Sequence, residues 1–275
     1  KRQVHECGTF PTFLRMRFYP TRLPRVRAAI EGDISRMAGR LYLIATPIGN
    51  LGDVSDRVRE TLANVSLIAA EDTRRTGSLL KHLGIQARMT SYHDHNERQK
   101  WPRLVETLEA GEDVAIVSDA GMPGIADPGW HIIQAAIERD IEISVIPGPT
   151  AFAMALVLSG LPVDRFTFEG YVPKKPGARK RLFDELTNEQ RTMVFYETPY
   201  RIERTLAEMV GVFGEHRRAS VSRELTKLHE ETIRGTLSQL VEHVRTRPPK
   251  GEFVIVVAGL NAPANRADEC AEPIQ

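Results

Sequence analysis

The chain of 275 residues is 41% hydrophobic and 27% charged, a composition that fits a folded globular protein with one or two buried cores and excludes disordered, collagenous and coiled-coil classes. Its 37 Lys and Arg nearly balance 36 Asp and Glu, but residues 1–36 hold 8 of the basic and only 3 of the acidic ones, leaving 29 basic against 33 acidic in 37–275. A mildly acidic body excludes a broad basic face for nucleic acid, so any polyanion must be gripped by local clusters or in a groove between subunits.

Residues 1–36 mix Pro, Arg and aromatics without a sustained period and are expected to be a disordered basic extension. Three readings stay open for them: translated sequence upstream of a natural start at Met37, an organellar transit peptide, or a nucleic-acid-binding arm. From residue 41, short apolar β-branched runs alternate with helical stretches. Strands are predicted at 41–46 (LYLIAT), 66–71 (SLIAAE), 113–118 (DVAIVS) and 142–147 (EISVIP), and helices at 54–64, 73–82, 96–110 and 129–139. Continuous apolar strands joined by crossover helices make a mostly parallel sheet covered on both faces, so 37–161 is predicted as one α/β domain. The apolar run AFAMALVLSGL at 151–161 falls well short of the roughly 20 residues of a bilayer span.

After Leu161-Pro162 the rhythm changes. Strands are predicted at 165–172, 191–197, 219–225, 231–236 and 252–258, with helices near 177–186, 200–213 and 237–246. The short turn at 227–229 implies antiparallel or mixed pairing. A second α/β domain over 162–260 follows, with a cleft between the two domains and a loose tail at 261–275. Cys7 and Cys270 stand near opposite ends, so neither a disulfide framework nor a Cys-based zinc site follows, and a cytoplasmic protein without a membrane span is expected.

Ligands of a parallel sheet gather beyond the carboxyl ends of its strands. Three Gly/Pro-rich loops stand there: TPIGNLGD (46–53), SDAGMPGIADPG (118–129) and PGPTA (147–151). Any one alone reads as a plain βα turn, and neither a dinucleotide fingerprint nor a Walker loop is present. The twelve-residue loop with Asp119 and Asp127 exceeds what a connection needs, and three such loops at one edge suggest one pocket. His93-Asp94-His95 is not a metal site, because successive residues of an extended segment point opposite ways and no further cluster completes a ligand set. KKPGARKR (174–181) reads as a solvated helix start or as a phosphate-gripping loop.

TPIGNLGD, AEDTRRT (70–76), YHDHNE (92–97), SDAGMPGIADPG, PGP, FYETPYR (195–201) and RELTK (223–227) occur in the order seen in the RsmI family, which the chain resembles over about residues 37–260. The resemblance implies an S-adenosylmethionine-dependent methyltransferase that modifies the 2′-hydroxyl of a cytidine in the decoding centre of small-subunit ribosomal RNA. It also implies the fold of the tetrapyrrole methylases, two α/β domains with the cofactor in the interdomain cleft. Pro47, Ile48, Gly49, Ser118, Asp119, Ala120, Gly121, Met122, Ile125, Thr150, Ala151 and Tyr196 are then the expected cofactor residues, with Asp119 offsetting the sulfonium charge.

Of the candidate bases His93, Glu97, Glu224 and Lys227, the expected pair is Lys227 with Glu224, a Lys of lowered pKa beside a carboxylate. Arg74, Arg75, His93, Lys174, Lys175, Arg179, Lys180, Arg181 and Arg201 are the expected RNA contacts, and Tyr171 is placed to stack on a splayed base. The expected partners are the ribosomal RNA within the assembled subunit and a second copy of the chain in a homodimer. A tetrapyrrole methyltransferase and a noncatalytic RNA-binding assembly factor are the competing readings.

Overall fold

The computed structural model describes residues 38–247 and 250–262; the expectations for 1–36 and for most of 261–275 lie outside the described residues. The first sheet contains β1 (Leu41–Ile44), β2 (Leu67–Ala70), β3 (Met89–Ser91), β4 (Val114–Val117) and β5 (Ile143–Ile146), in the order β3-β2-β4-β1-β5 with every pair parallel. Four helices cross it: α1 (Asp56–Asn64), α2 (Thr73–Leu83), α3 (Glu97–Glu109) and α4 (Trp130–Ile137). Alternation along the strands divides the core. Leu41, Leu43, Val114 and Ile116 pack with Leu104, Leu108 and Ile132 of α3 and α4, while Ile44, Ile68, Ala115 and Val117 pack with Val58, Leu62 and Leu80 of α1 and α2. Both faces being covered, the strands read as unbroken apolar runs.

The second sheet contains β6 (Phe166–Tyr171), β7 (Thr192–Glu197), β8 (Arg218–Arg223), β9 (Glu231–Thr236) and β10 (Phe253–Val257), in the order β6-β7-β10-β8-β9. Only β6 and β7 are parallel; β10 runs antiparallel to β7 and β8, and β9 antiparallel to β8, which is the mixed pairing read from the short turn. One face, with Met193, Phe195, Val221 and Ile255, is covered by α6 (Pro176–Glu185), α7 (Ile202–Phe213) and α8 (Leu237–Thr246). The opposite face, with Val194, Val254 and Val256, is covered by Ala155 and Leu156 of α5 (Ala151–Ser159).

That helix was not predicted: its apolar residues surround it, and it packs on the sheet that follows it in the chain. Burying a Leu or Val side chain there contributes about 1.5–3 kcal/mol. Phe152 of α5 stacks on Phe168 with ring centroids 4.7 Å apart, and its backbone N–H donates to the Tyr196 hydroxyl at 3.3 Å. Strand β3 was also missed, being three residues long at a sheet edge. Among the described residues no helix is long and apolar enough to cross a membrane.

Candidate active site

The three Gly/Pro-rich loops meet at Gly121. Thr46 and Gly121 exchange backbone hydrogen bonds of 2.9 and 3.0 Å, tying the loop after β1 to the loop after β4. Ser118, buried beneath, accepts from the Thr46 hydroxyl at its carbonyl and donates its own hydroxyl to the Gly121 carbonyl. Gly121 sits at φ +85°, where a Cβ would lie 3.5 Å from Ile48 and 3.6 Å from the Pro149 carbonyl of the loop after β5. Only glycine holds that left-handed conformation without strain.

Opposite this wall stands the end of the second sheet, and between them lies a cleft with about 750 Å³ of space, part of it open to solvent. Of the expected cofactor residues, Ile48, Ala120, Gly121, Met122, Ile125, Thr150, Ala151 and Tyr196 line it, together with both Glu224 and Lys227. Burial pushes the Tyr196 hydroxyl up to about 12. Pro47, Gly49, Ser118 and Asp119 are not among its lining residues. Gly49 lies beneath the Lys227 side chain, whose Cγ would be 2.3 Å from a Cβ at that position.

Asp119 does not face the cleft as expected. Its carboxylate accepts from the Asp72 N–H at 3.0 Å and pairs with Arg75 at 3.3 Å, holding the long loop to the start of α2. Asp127 is the carboxylate of that loop that lines the cleft, and sequence reasoning passed it over as a candidate. The chain turns there through Gly124 at φ +83° and Ala126 at φ 60°, a conformation a residue with a Cβ adopts only under constraint. Burial, and then the negative charge of Glu71, raise Asp127 to about 7 against the opposing pull of the nearby Ser118 hydroxyl, with Asp94 and Asp119 adding to the rise.

Lys227 and Glu224 form the predicted pair, at 2.8 Å, and Glu252, also missed, joins at 3.1 Å. The loop is strained, with Glu224 at φ 49° and Thr226 at φ 67°, and the Glu224 carboxylate lies over Gly251, where a Cβ would be 2.3 Å from it. Burial pulls the Lys227 ammonium down, but hydrogen bonds to Glu224 and Glu252 outweigh it and leave it above its ordinary value. Burial likewise pushes Glu224 up, and the Lys227 hydrogen bond overrides this. The expected Lys of lowered pKa is therefore reversed: the pair is ionised, and Lys227 is a hydrogen-bond donor at neutral pH. Glu97 is a structural anchor, one oxygen accepting from the Tyr92 hydroxyl and from the Gly129 and His131 N–H groups at the start of α4.

Two expected RNA contacts are engaged in ion pairs with carboxylates of their own domain. Arg179 is 2% exposed, bound by two nitrogens to Glu208 and by a third to the Pro173 and Lys174 carbonyls. Arg201 pairs at 2.6 Å with Glu197, whose side chain is 0% exposed, and donates to the Val172 carbonyl. Arg179 has no surface to offer a phosphate, and Arg201, 20% exposed, is already paired. Lys174, Lys175 and Arg181 are exposed; Lys180, also exposed, pairs with Asp184, and Arg74 with Asp72. His93 is half-buried, its Nε2 3.0 Å from the Asn96 amide and its Nδ1 buried with no hydrogen-bond partner.

The family model described as tetrapyrrole (corrin/porphyrin) methylases matches residues 40–241. The chain is 49% identical over 221 residues to the ribosomal RNA small subunit methyltransferase I of Synechocystis, covering 80% of this chain and 79% of that protein. It is 44% identical over 241 residues to the protein of the same name from Pseudomonas aeruginosa, covering 86% and 85%. Among solved structures, the uroporphyrin-III-C-methyltransferase of Thermus thermophilus superposes with a TM-score of 0.56 at 18% identity, over 81% of this chain and 94% of that one, a likeness of fold.

Proposed function

Since the chain belongs to the tetrapyrrole methylase family, and within it to the ribosomal RNA small subunit methyltransferase I proteins, we propose that it transfers a methyl group from S-adenosylmethionine to the 2′-hydroxyl of a cytidine in the decoding centre of small-subunit ribosomal RNA. The observation that carries the reading is the meeting of three loops at Gly121, with Asp127 on the same wall, across one cleft from Lys227 and Glu224.

The residues present fit the donor. Ile48, Met122 and Ile125 offer apolar contact, the bare main chain at Gly121 lets polar groups approach, and Asp127 supplies a carboxylate for a cation. When bound, S-adenosylmethionine supplies a methyl group on a positively charged sulfur that leaves as a neutral thioether.

The protein then has to hold the ribose in line and remove one proton, and positioning supplies much of the acceleration. Lys227, kept charged by Glu224 and Glu252, donates a hydrogen bond from Nζ to an oxygen of the nucleotide. Asp127 accepts the hydroxyl proton on a carboxylate oxygen, because a group near 7 is balanced between holding and releasing it. This assigns to Asp127 the charge-offsetting role expected of Asp119, and to Lys227 binding rather than proton removal. The protein acts in the cytoplasm, on RNA within the assembled subunit, and as a homodimer whose shared groove offsets the acidic excess of one copy.

The test is to offer methyl-labelled S-adenosylmethionine with small-subunit RNA, assembled subunits or uroporphyrinogen. Label is expected in the RNA of the subunit, on a cytidine ribose. Label in the tetrapyrrole, or in no acceptor, overturns the reading.

A further inference from the structure

Two large apolar side chains stand almost wholly in solvent: Tyr200 is 94% exposed and Leu228 is 91% exposed. Topology puts them at one place. Strands β7 and β8 both run antiparallel to β10, and β6 runs parallel to β7, so the loops after β6, β7 and β8 leave the sheet at the end where β10 begins. That end forms the second wall of the cleft, through Tyr171, Glu197, Lys227 and Glu252. Tyr200 follows Glu197 by three residues and Leu228 follows Lys227 directly.

Both residues are displayed on pinned turns. The Thr198 N–H donates to the buried Glu197 carboxylate, and the Arg201 N–H donates to the Thr198 carbonyl, closing the turn that carries Tyr200. The Lys227 N–H donates to the Glu224 carbonyl and the Glu230 N–H to the Lys227 carbonyl on either side of Leu228. Tyr171, half-exposed in the same row, rests its ring edge-on against Tyr196 at 5.3 Å, and the exposed Lys174 and Lys175 follow it on the same edge.

A single exposed apolar residue needs no explanation. Here three flank the mouth of one cleft, beside two exposed cations, and that combination suits a strand of unpaired nucleotides, whose bases stack on rings and apolar surface while phosphates meet ammonium groups. We propose that Tyr200 and Leu228, with Tyr171, form the platform on which the bases flanking the methylated nucleotide stack, an inference that rests on the RNA reading above.

The test uses full-length protein with Tyr200→Ala, Leu228→Ala and the double variant, and with Tyr200→Phe as the conservative control. Three quantities are read: affinity for S-adenosylhomocysteine by calorimetry, affinity for a single-stranded small-subunit RNA fragment by filter binding, and KM for the subunit in methyl transfer. Each Ala variant should weaken RNA binding and raise KM roughly tenfold, Tyr200→Phe should restore both, and affinity for S-adenosylhomocysteine should not move. Unchanged RNA affinity in the double variant overturns the platform. So does a change in the mass of the assembly by ultracentrifugation, which would make the surface a contact between copies. If wild-type protein binds the fragment through these residues but methylates no RNA, the platform stands and the methyltransferase reading falls. If it methylates RNA and the double variant does so with normal KM, the reverse holds.

Discussion

The two walls of the cleft are built from different materials. On the side of the parallel sheet, the wall is main chain and apolar side chain, three loops cross-tied at Gly121 with Asp127 as its one lining carboxylate. On the side of the mixed sheet, it is a row of charged and aromatic side chains, Glu224, Lys227, Glu252, Tyr171 and Tyr196, with left-handed backbone at Glu224 and Thr226 in the turn that carries Lys227. Backbone recognition suits a ligand that does not vary and must be held rigidly. Side-chain recognition suits a long flexible partner met mainly through charge and rings. On the proposed function this difference divides the labour: donor on the first wall, RNA on the second.

The largest expected effect breaks the second wall from behind. Arg201→Ala leaves the buried Glu197 carboxylate without its cation, and denaturant titration should show a loss of about 3–5 kcal/mol. Unchanged stability with weakened RNA binding would return Arg201 to the phosphate contacts. Next, Asp127→Asn should slow methyl transfer about 10²-fold and remove the rise in kcat/KM with pH expected of wild type through about 7.

The same substitution has a signature in stability. The folded state holds its Asp127 proton up to about 7 whereas a free carboxylate loses it near 3.8, so this group's contribution falls as pH rises between those values. Wild type should therefore lose stability relative to Asp127→Asn across that window in thermal melts. Lys227→Ala should raise KM for RNA roughly tenfold, in line with a lost charged hydrogen bond, while its pH profile keeps the wild-type limb; loss of the limb would make Lys227 the base. The smallest effect is that of Lys174→Ala or Lys175→Ala, each lowering the slope of log affinity against log salt by about 0.7. A slope that does not change removes those residues from the phosphate path.

How far the chain could be read before its fold was known follows the same division. The parallel strands were legible because burial on both faces makes them unbroken apolar runs, and the Gly/Pro loops because their composition already marks close backbone approach. Helix α5 was not, since its apolar surroundings come from a sheet formed later in the chain. Nor can sequence separate Arg179 from Lys180, neighbours in one basic run, when helix phase buries the first against Glu208 and exposes the second. Nor can it separate Asp119 from Asp127, the first held by Asp72 and Arg75 and the second lining the cleft beside the left-handed residues Gly124 and Ala126. Glu252 reaches Lys227 only at the start of β10, 25 residues further along the chain.

The central claim is that the main chain around Gly121 holds the methyl donor. Calorimetry with S-adenosylhomocysteine on wild type and Gly121→Val tests it directly, with circular dichroism to verify folding. Tight binding by the wild type and its loss in a folded variant is the predicted result. Equal binding by both, or none by wild type, contradicts it.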